Sequence, residues 1–73
     1  MGKRARYVIK FGIAPKMLLF KLFDQQKMTV FDVKKLIRKN VKSFPRMIVY
    51  DDHFRLLSHD EQIKVGEYVY VAA

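Results

Sequence analysis

The chain has 73 residues, with 15 Lys and Arg against 7 Asp and Glu, a formal net charge of +8 and a pI near 10.0. Half of it (51%) is hydrophobic and 14% is aromatic, which is core-forming material that a disordered basic tail lacks, and the length admits one compact domain only. Cys is absent, which excludes a disulfide scaffold, a thiol nucleophile and any zinc site built on thiolates.

Residues 1–6, with Lys3, Arg4 and Arg6, read as a basic arm, and residues 7–73 as a single domain. Tyr7, Ile9, Phe11 and Ile13 alternate with Val8, Lys10 and Gly12, the period of a strand. Gly12-Ile-Ala-Pro15 supplies the breakers of a turn. Residues 16–23 then give a second strand, with Leu18, Phe20 and Leu22 on one face and Met17, Leu19, Lys21 and Phe23 on the other. The two are close enough in sequence to form a hairpin.

Thr29-Val-Phe-Asp32 has the spacing of a helix-capping box. The helix it starts carries Val30, Val33, Leu36, Ile37 and Val41 within an arc of about 140°, and the proline of Ser43-Phe-Pro45 ends it. Arg46-Met-Ile-Val-Tyr50 is nearly continuous in apolar residues, so it reads as a central strand buried on both faces. Phe54-Arg-Leu-Leu57 gives a short fourth strand, Ser58-His-Asp-Glu61 a capped single helical turn reaching Lys64, and Tyr68-Val-Tyr-Val71 the last strand. The expected architecture is α+β: a ubiquitin-like β-grasp roll, with a mixed sheet of four to five strands packed on one main helix.

The candidate surface is basic. Lys34, Lys35, Arg38, Lys39 and Lys42 lie opposite the apolar stripe with no acid among them. Their like-charge i,i+4 pairs each cost about 0.2–0.5 kcal/mol, a cost that a solvated face selected for stability alone would avoid by mixing signs. Phe31 projects into this cationic face, where an aromatic can anchor a partner. Lys3, Arg4, Arg6, Lys10, Lys16, Lys21 and Arg46 add positive charge around the hairpin and the third strand, a field that speeds association with anions and weakens with salt. Neither a Gly-Phe-Gly-Phe strand nor a helix-turn-helix pair is present, so RNA binding rests on charge. His53 and His59 stand near Asp51, Asp52 and Asp60, but without the spacing of a metal site. No phosphate loop or nucleophile triad is written in the chain, so a non-enzymatic protein without cofactor or metal is expected.

The stretch Arg46-Met-Ile-Val-Tyr-Asp-Asp52, followed by Arg55-Leu-Leu-Ser-His-Asp-Glu61 and Gly66-Glu-Tyr-Val-Tyr-Val-Ala-Ala73, resembles the closing half of a doublecortin domain. Asp51, Ser58, Asp60, Glu61, Gly66, Glu67, Tyr68, Val71 and Ala72 stand in the family's order, and Thr29-Val-Phe-Asp32 resembles its helix start. Two turns depart from the pattern: Phe11-Gly-Ile-Ala-Pro15 replaces an Arg-Asn-Gly-Asp turn, and Asp51-Asp-His53 an Asp-Gly turn. The resemblance implies a domain that binds tubulin and microtubules non-catalytically through its basic surface, in the cytoplasm and on the cytoskeleton; a monomeric domain without membrane insertion is expected, since no apolar run approaches the ~20 residues of a membrane span. The alternative is a ubiquitin-like adaptor that binds another acidic protein or RNA.

Overall fold

The computed structural model describes residues 6–12, 16–24, 27–41 and 46–72. They form an α+β unit of four strands and one helix: β1 (Tyr7–Phe11), β2 (Met17–Leu22), α1 (Val30–Asn40), β3 (Ile48–Tyr50) and β4 (Tyr68–Ala72). The sheet order is β1-β2-β4-β3. Every pairing is antiparallel, with Ile9 opposite Phe20, Phe20 opposite Val69, and Val49 opposite Val71.

This corrects the mixed sheet expected from the sequence. A parallel pair would require the last strand to lie beside a strand running its own way, whereas β4 enters between β2 and β3 and opposes both. β2 takes the interior place because its alternate residues Leu18, Phe20 and Leu22 are fully buried, and an interior strand is the one that can shield such a row from both sides. β3 is correspondingly an edge strand and not the central one its apolar run suggested: Val49 is buried but Ile48 is 42% exposed.

Two smaller expectations also change. Residues 54–57 contribute one isolated bridge, Leu56 to Tyr50, in place of a fourth strand. Residues 58–64 form a turn and not a helical turn. The backbone N–H of Glu61 donates to the Ser58 carbonyl at 3.2 Å, and Ser58 N–H donates to Glu61 Oε2 at 2.7 Å. The capping chemistry read from Ser58 and Glu61 is thus present, but Gln62 is drawn into a bridge with Thr29 and the chain goes straight on into the core at Ile63.

Helix α1 begins where the sequence places it. Thr29 Oγ1 accepts from Asp32 N at 3.3 Å, and the Asp32 carboxylate accepts from Thr29 N at 3.1 Å. The 59–61 turn closes the rest of the terminus: Val30 N donates to the Glu61 carbonyl and Phe31 N to that of His59, while Val33 N makes the first bond of the helix itself, to the Thr29 carbonyl. All four amides that a helix start leaves orphaned are satisfied. Thr29→Ala removes the side-chain acceptor, and thermal denaturation should show a loss of about 1 kcal/mol with the fold retained.

The helix ends at Asn40, short of the proline. Asn40 Nδ2 donates to the Leu36 carbonyl at 2.8 Å, and Val41 turns extended to cap the last turn. Ile13, Pro15 and the Ser43-Phe44-Pro45 terminator lie outside the described residues. Val30, Val33 and Ile37 from the helix join Leu18, Phe20, Leu22, Val49, Val69 and Val71 from the sheet in one core, with Tyr7, Ile9, Leu36, Val41 and Leu57 packed around it. The helix therefore covers one side of the sheet only.

Candidate functional site

Two surfaces emerge on opposite sides of the molecule. On the helix, Phe31 is 48% exposed, and Lys35, Arg38 and Lys39 stand in solvent with Lys34 half-buried. Lys35 Nζ lies 5.2 Å from the centre of the Phe31 ring. Lys34 Nζ meets His59 Nε2 at 3.3 Å, and the His59 ring lies 6.1 Å from that of Phe31. The ion pairs found among the described residues are Arg6–Asp24, His53–Asp52 and Arg55–Asp51, and none of these involves the helix row. The apolar stripe beneath it fixes this orientation, because burying Val30, Val33 and Ile37 forces the residues between them outward.

Lys10 and Lys21, also singled out in the sequence, do not join this row. Lys10 and Lys21 lie on the uncovered face of the sheet, since Lys21 stands between the buried Phe20 and Leu22, and Lys10 pairs with Leu19 on the side of Lys21. Arg6 is drawn to Asp24: its backbone N–H donates to Asp24 Oδ2 at 3.1 Å and its Nε lies 4.0 Å from the same oxygen. Arg46 is exposed just ahead of β3. Lys3, Arg4 and Lys42 lie outside the described residues.

The uncovered sheet face carries residues that sequence reasoning missed. Cross-strand register puts Tyr70 opposite both Leu19 and Tyr50, and Tyr68 opposite Lys21. Lys21 Nζ sits 4.7 Å and Lys10 Nζ 5.5 Å from the centre of the Tyr68 ring. A hydrogen bond from the Lys10 ammonium, aided by the charge of Lys10 and Lys21, holds the Tyr68 hydroxyl below its usual 10.0. Phe54, 60% exposed, lies flat on Tyr70 with ring centres 4.6 Å apart and planes at 18°. The alternation Tyr68-Val69-Tyr70-Val71 was the available signal: once the valines are core, both tyrosines must face away from it.

Phe54 reaches that position at a backbone φ of 61°, a left-handed conformation that is a genuine outlier for a bulky residue. Asp51 enforces it. Its Oδ1 accepts from the backbone N–H of His53 at 2.9 Å and of Arg55 at 2.8 Å, its Oδ2 accepts from Arg55 Nε at 3.1 Å, and its carbonyl accepts from Phe54 N. The Arg55 amide, with smaller help from the His53 amide and the Arg55 guanidinium, holds the Asp51 carboxyl below the ordinary 3.8. A depressed folded-state value means that this contribution is full above 3.8 and is lost as the pH falls through the folded value. Melting temperatures taken from about pH 5 down to about pH 2 should therefore decline more steeply in the parent than in Asp51→Asn. Equal slopes would remove the stabilising role assigned to this carboxylate.

Among the described residues, no three His, Cys, Asp or Glu gather to hold a metal ion, and no helix is long and apolar enough to cross a membrane. Charge is unevenly distributed: 13 of the 15 Lys and Arg fall in residues 1–46, whereas five of the seven acids fall in residues 51–67. The basic part supplies the hairpin and helix, the acidic part the Asp51 loop beside Tyr70 and the 58–61 turn at the helix start. Comparison with known proteins finds no matching family model, no matching curated protein and no matching solved structure.

Proposed function

We propose that the chain is a non-catalytic binding module whose α1 face docks on an acidic protein surface, with tubulin in the microtubule lattice as the partner. The observation that carries this reading is the row Lys34, Lys35, Arg38 and Lys39, to which no acid is paired among the described residues and which is flanked by the half-exposed Phe31. Unpaired like charges on one helix cost stability, and an acidic partner converts that cost into attraction and faster association. The doublecortin resemblance of residues 28–73 selects tubulin among acidic proteins, and a cytoplasmic, cytoskeletal setting goes with it. The succession of hairpin, helix, β3 and closing strand supports a β-grasp roll of that kind, and the antiparallel seating of β2 against β4 is where it departs from the mixed form.

The test is co-sedimentation with stabilised microtubules over a salt series, beside lysozyme as a basic control and with RNA as competitor. The reading expects saturable binding that outlasts lysozyme at physiological salt, resists RNA, and weakens when Lys34, Lys35, Arg38 and Lys39 are all changed to Gln. Sedimentation no better than lysozyme removes the tubulin assignment.

A further inference from the structure

The uncovered side of the sheet has a composition unlike that of a solvated face. Its strand positions are Val8 and Lys10 in β1, Met17, Leu19 and Lys21 in β2, Ile48 and Tyr50 in β3, and Tyr68, Tyr70 and Ala72 in β4. No acid occupies any of them. Three tyrosines gather on the β3–β4 side, a fourth ring, Phe54, is laid on Tyr70, and two ammonium groups stand at Tyr68.

We propose that this face binds single-stranded nucleic acid, with bases stacking on Phe54 and Tyr68 and with Lys10 and Lys21 on the phosphates. Stacking on aromatic side chains and a cationic track along the backbone are the two elements that unpaired strands require, and the sheet presents both on one surface. Phe54 lies flat on Tyr70, so Phe54 is the ring presented there, and Tyr68, two residues or roughly 7 Å along β4 from Tyr70, offers a second ring to a neighbouring base. Phe54 is the telling residue: it is 60% exposed, left-handed in φ and fixed by four hydrogen bonds from the Asp51 loop. Backbone strain that is over-determined in this way clusters at binding sites.

Two other occupants fit less well. A second copy of the chain would bring Lys10 and Lys21 toward their own counterparts, with no acid at the strand positions around them. A duplex hides its base faces within the stack and leaves the rings without partners. The site is independent of the helix row, from which the core separates it.

The experiment is fluorescence anisotropy with labelled 12-nucleotide oligouridylate, oligodeoxythymidylate and a duplex of equal length, at fixed and at varied salt. Both single strands, or the RNA strand alone, are expected to bind more tightly than the duplex. Phe54→Ala should weaken single-strand binding by about 5- to 150-fold, and Phe54→Tyr should restore it while circular dichroism stays that of the parent. Lys10→Gln with Lys21→Gln should lower the salt slope by about 1.4. Changing Lys34, Lys35, Arg38 and Lys39 to Gln tests the helix reading separately: the affinity ratio of parent to Phe54→Ala should persist in that background. Equal binding of duplex and single strand, or a Phe54→Ala variant that binds like the parent, overturns the proposal, as does a Phe54→Ala loss confined to an acidic protein such as tubulin.

Discussion

Phe20→Ala is expected to remove a large part of the domain's stability and to leave it substantially unfolded at physiological temperature. Phe20 is fully buried at the centre of β2, opposed by Ile9 on one side and Val69 on the other, and its ring stacks on Tyr7 with centres 5.4 Å apart. Truncation of a buried phenylalanine costs about 3–5 kcal/mol through lost transfer energy and the cavity left behind. A chain of this length has in total about 4–11 kcal/mol to lose. Urea denaturation followed by circular dichroism should show the midpoint collapse in Phe20→Ala and a much smaller shift in Phe20→Leu, which keeps most of the volume. A melt of Phe20→Ala indistinguishable from the parent would place the core elsewhere.

The second large effect concerns binding. Changing Lys34, Lys35, Arg38 and Lys39 together to Glu takes the formal net charge from +8 to zero, all of it on the proposed docking face. Each exposed charge contact is worth about 0.2–1 kcal/mol, and the change removes four attractions and installs four repulsions. The total exceeds about 1.5 kcal/mol, a loss of more than tenfold in affinity for microtubules. The fold should survive, because the i,i+4 repulsions at 34/38 and 35/39 are replaced by repulsions of the same size and the core stripe is untouched. The companion change, Lys10→Glu with Lys21→Glu, lies on the far side of the sheet and should leave microtubule co-sedimentation near that of the parent. Equal losses in both variants would mean that bulk charge and not the helix face governs the interaction.

How far the sequence could be read depended on whether a signal was local. The capping box at Thr29 and Asp32, the stripe of Val30, Val33 and Ile37, and the alternation of β2 are set by neighbours in the chain, and they lie where periodicity puts them. Strand order is not local. The run at 46–50 was apolar enough for a central strand, yet Ile48 stays 42% exposed because β4, with Val69 and Val71 buried, takes the inner place. The end of the helix was misjudged for a similar reason: proline marks where a helix must stop, while Asn40 binding the Leu36 carbonyl and the Tyr7 hydroxyl decides where it does.

The cations were legible as a set but not as a geometry. The sequence places Lys10 and Lys21 with the cations around the hairpin, and the strand register sets both on the sheet face away from the helix. The aromatic platform escaped because its rings come from three separate segments, Tyr50, Phe54 and Tyr68 to Tyr70, and only the register of β3 against β4 unites them. Arg6 shows the converse, a residue of the basic arm that the fold ties to Asp24.

The position of β4 also sets the order in which the chain can assemble. β2 and β3 run in the same direction and share no ladder, so they are joined only when Tyr68–Ala72 slides between them. During synthesis the hairpin and helix can form early, but the sheet stays in two pieces until residue 72 has cleared the ribosome. Until then Leu18, Phe20 and Leu22 present an open strand edge, the kind of surface that recruits chaperones or other nascent chains. Closure by so distant a segment also predicts slower folding than the small size suggests, since long loops must be ordered before their contacts repay them.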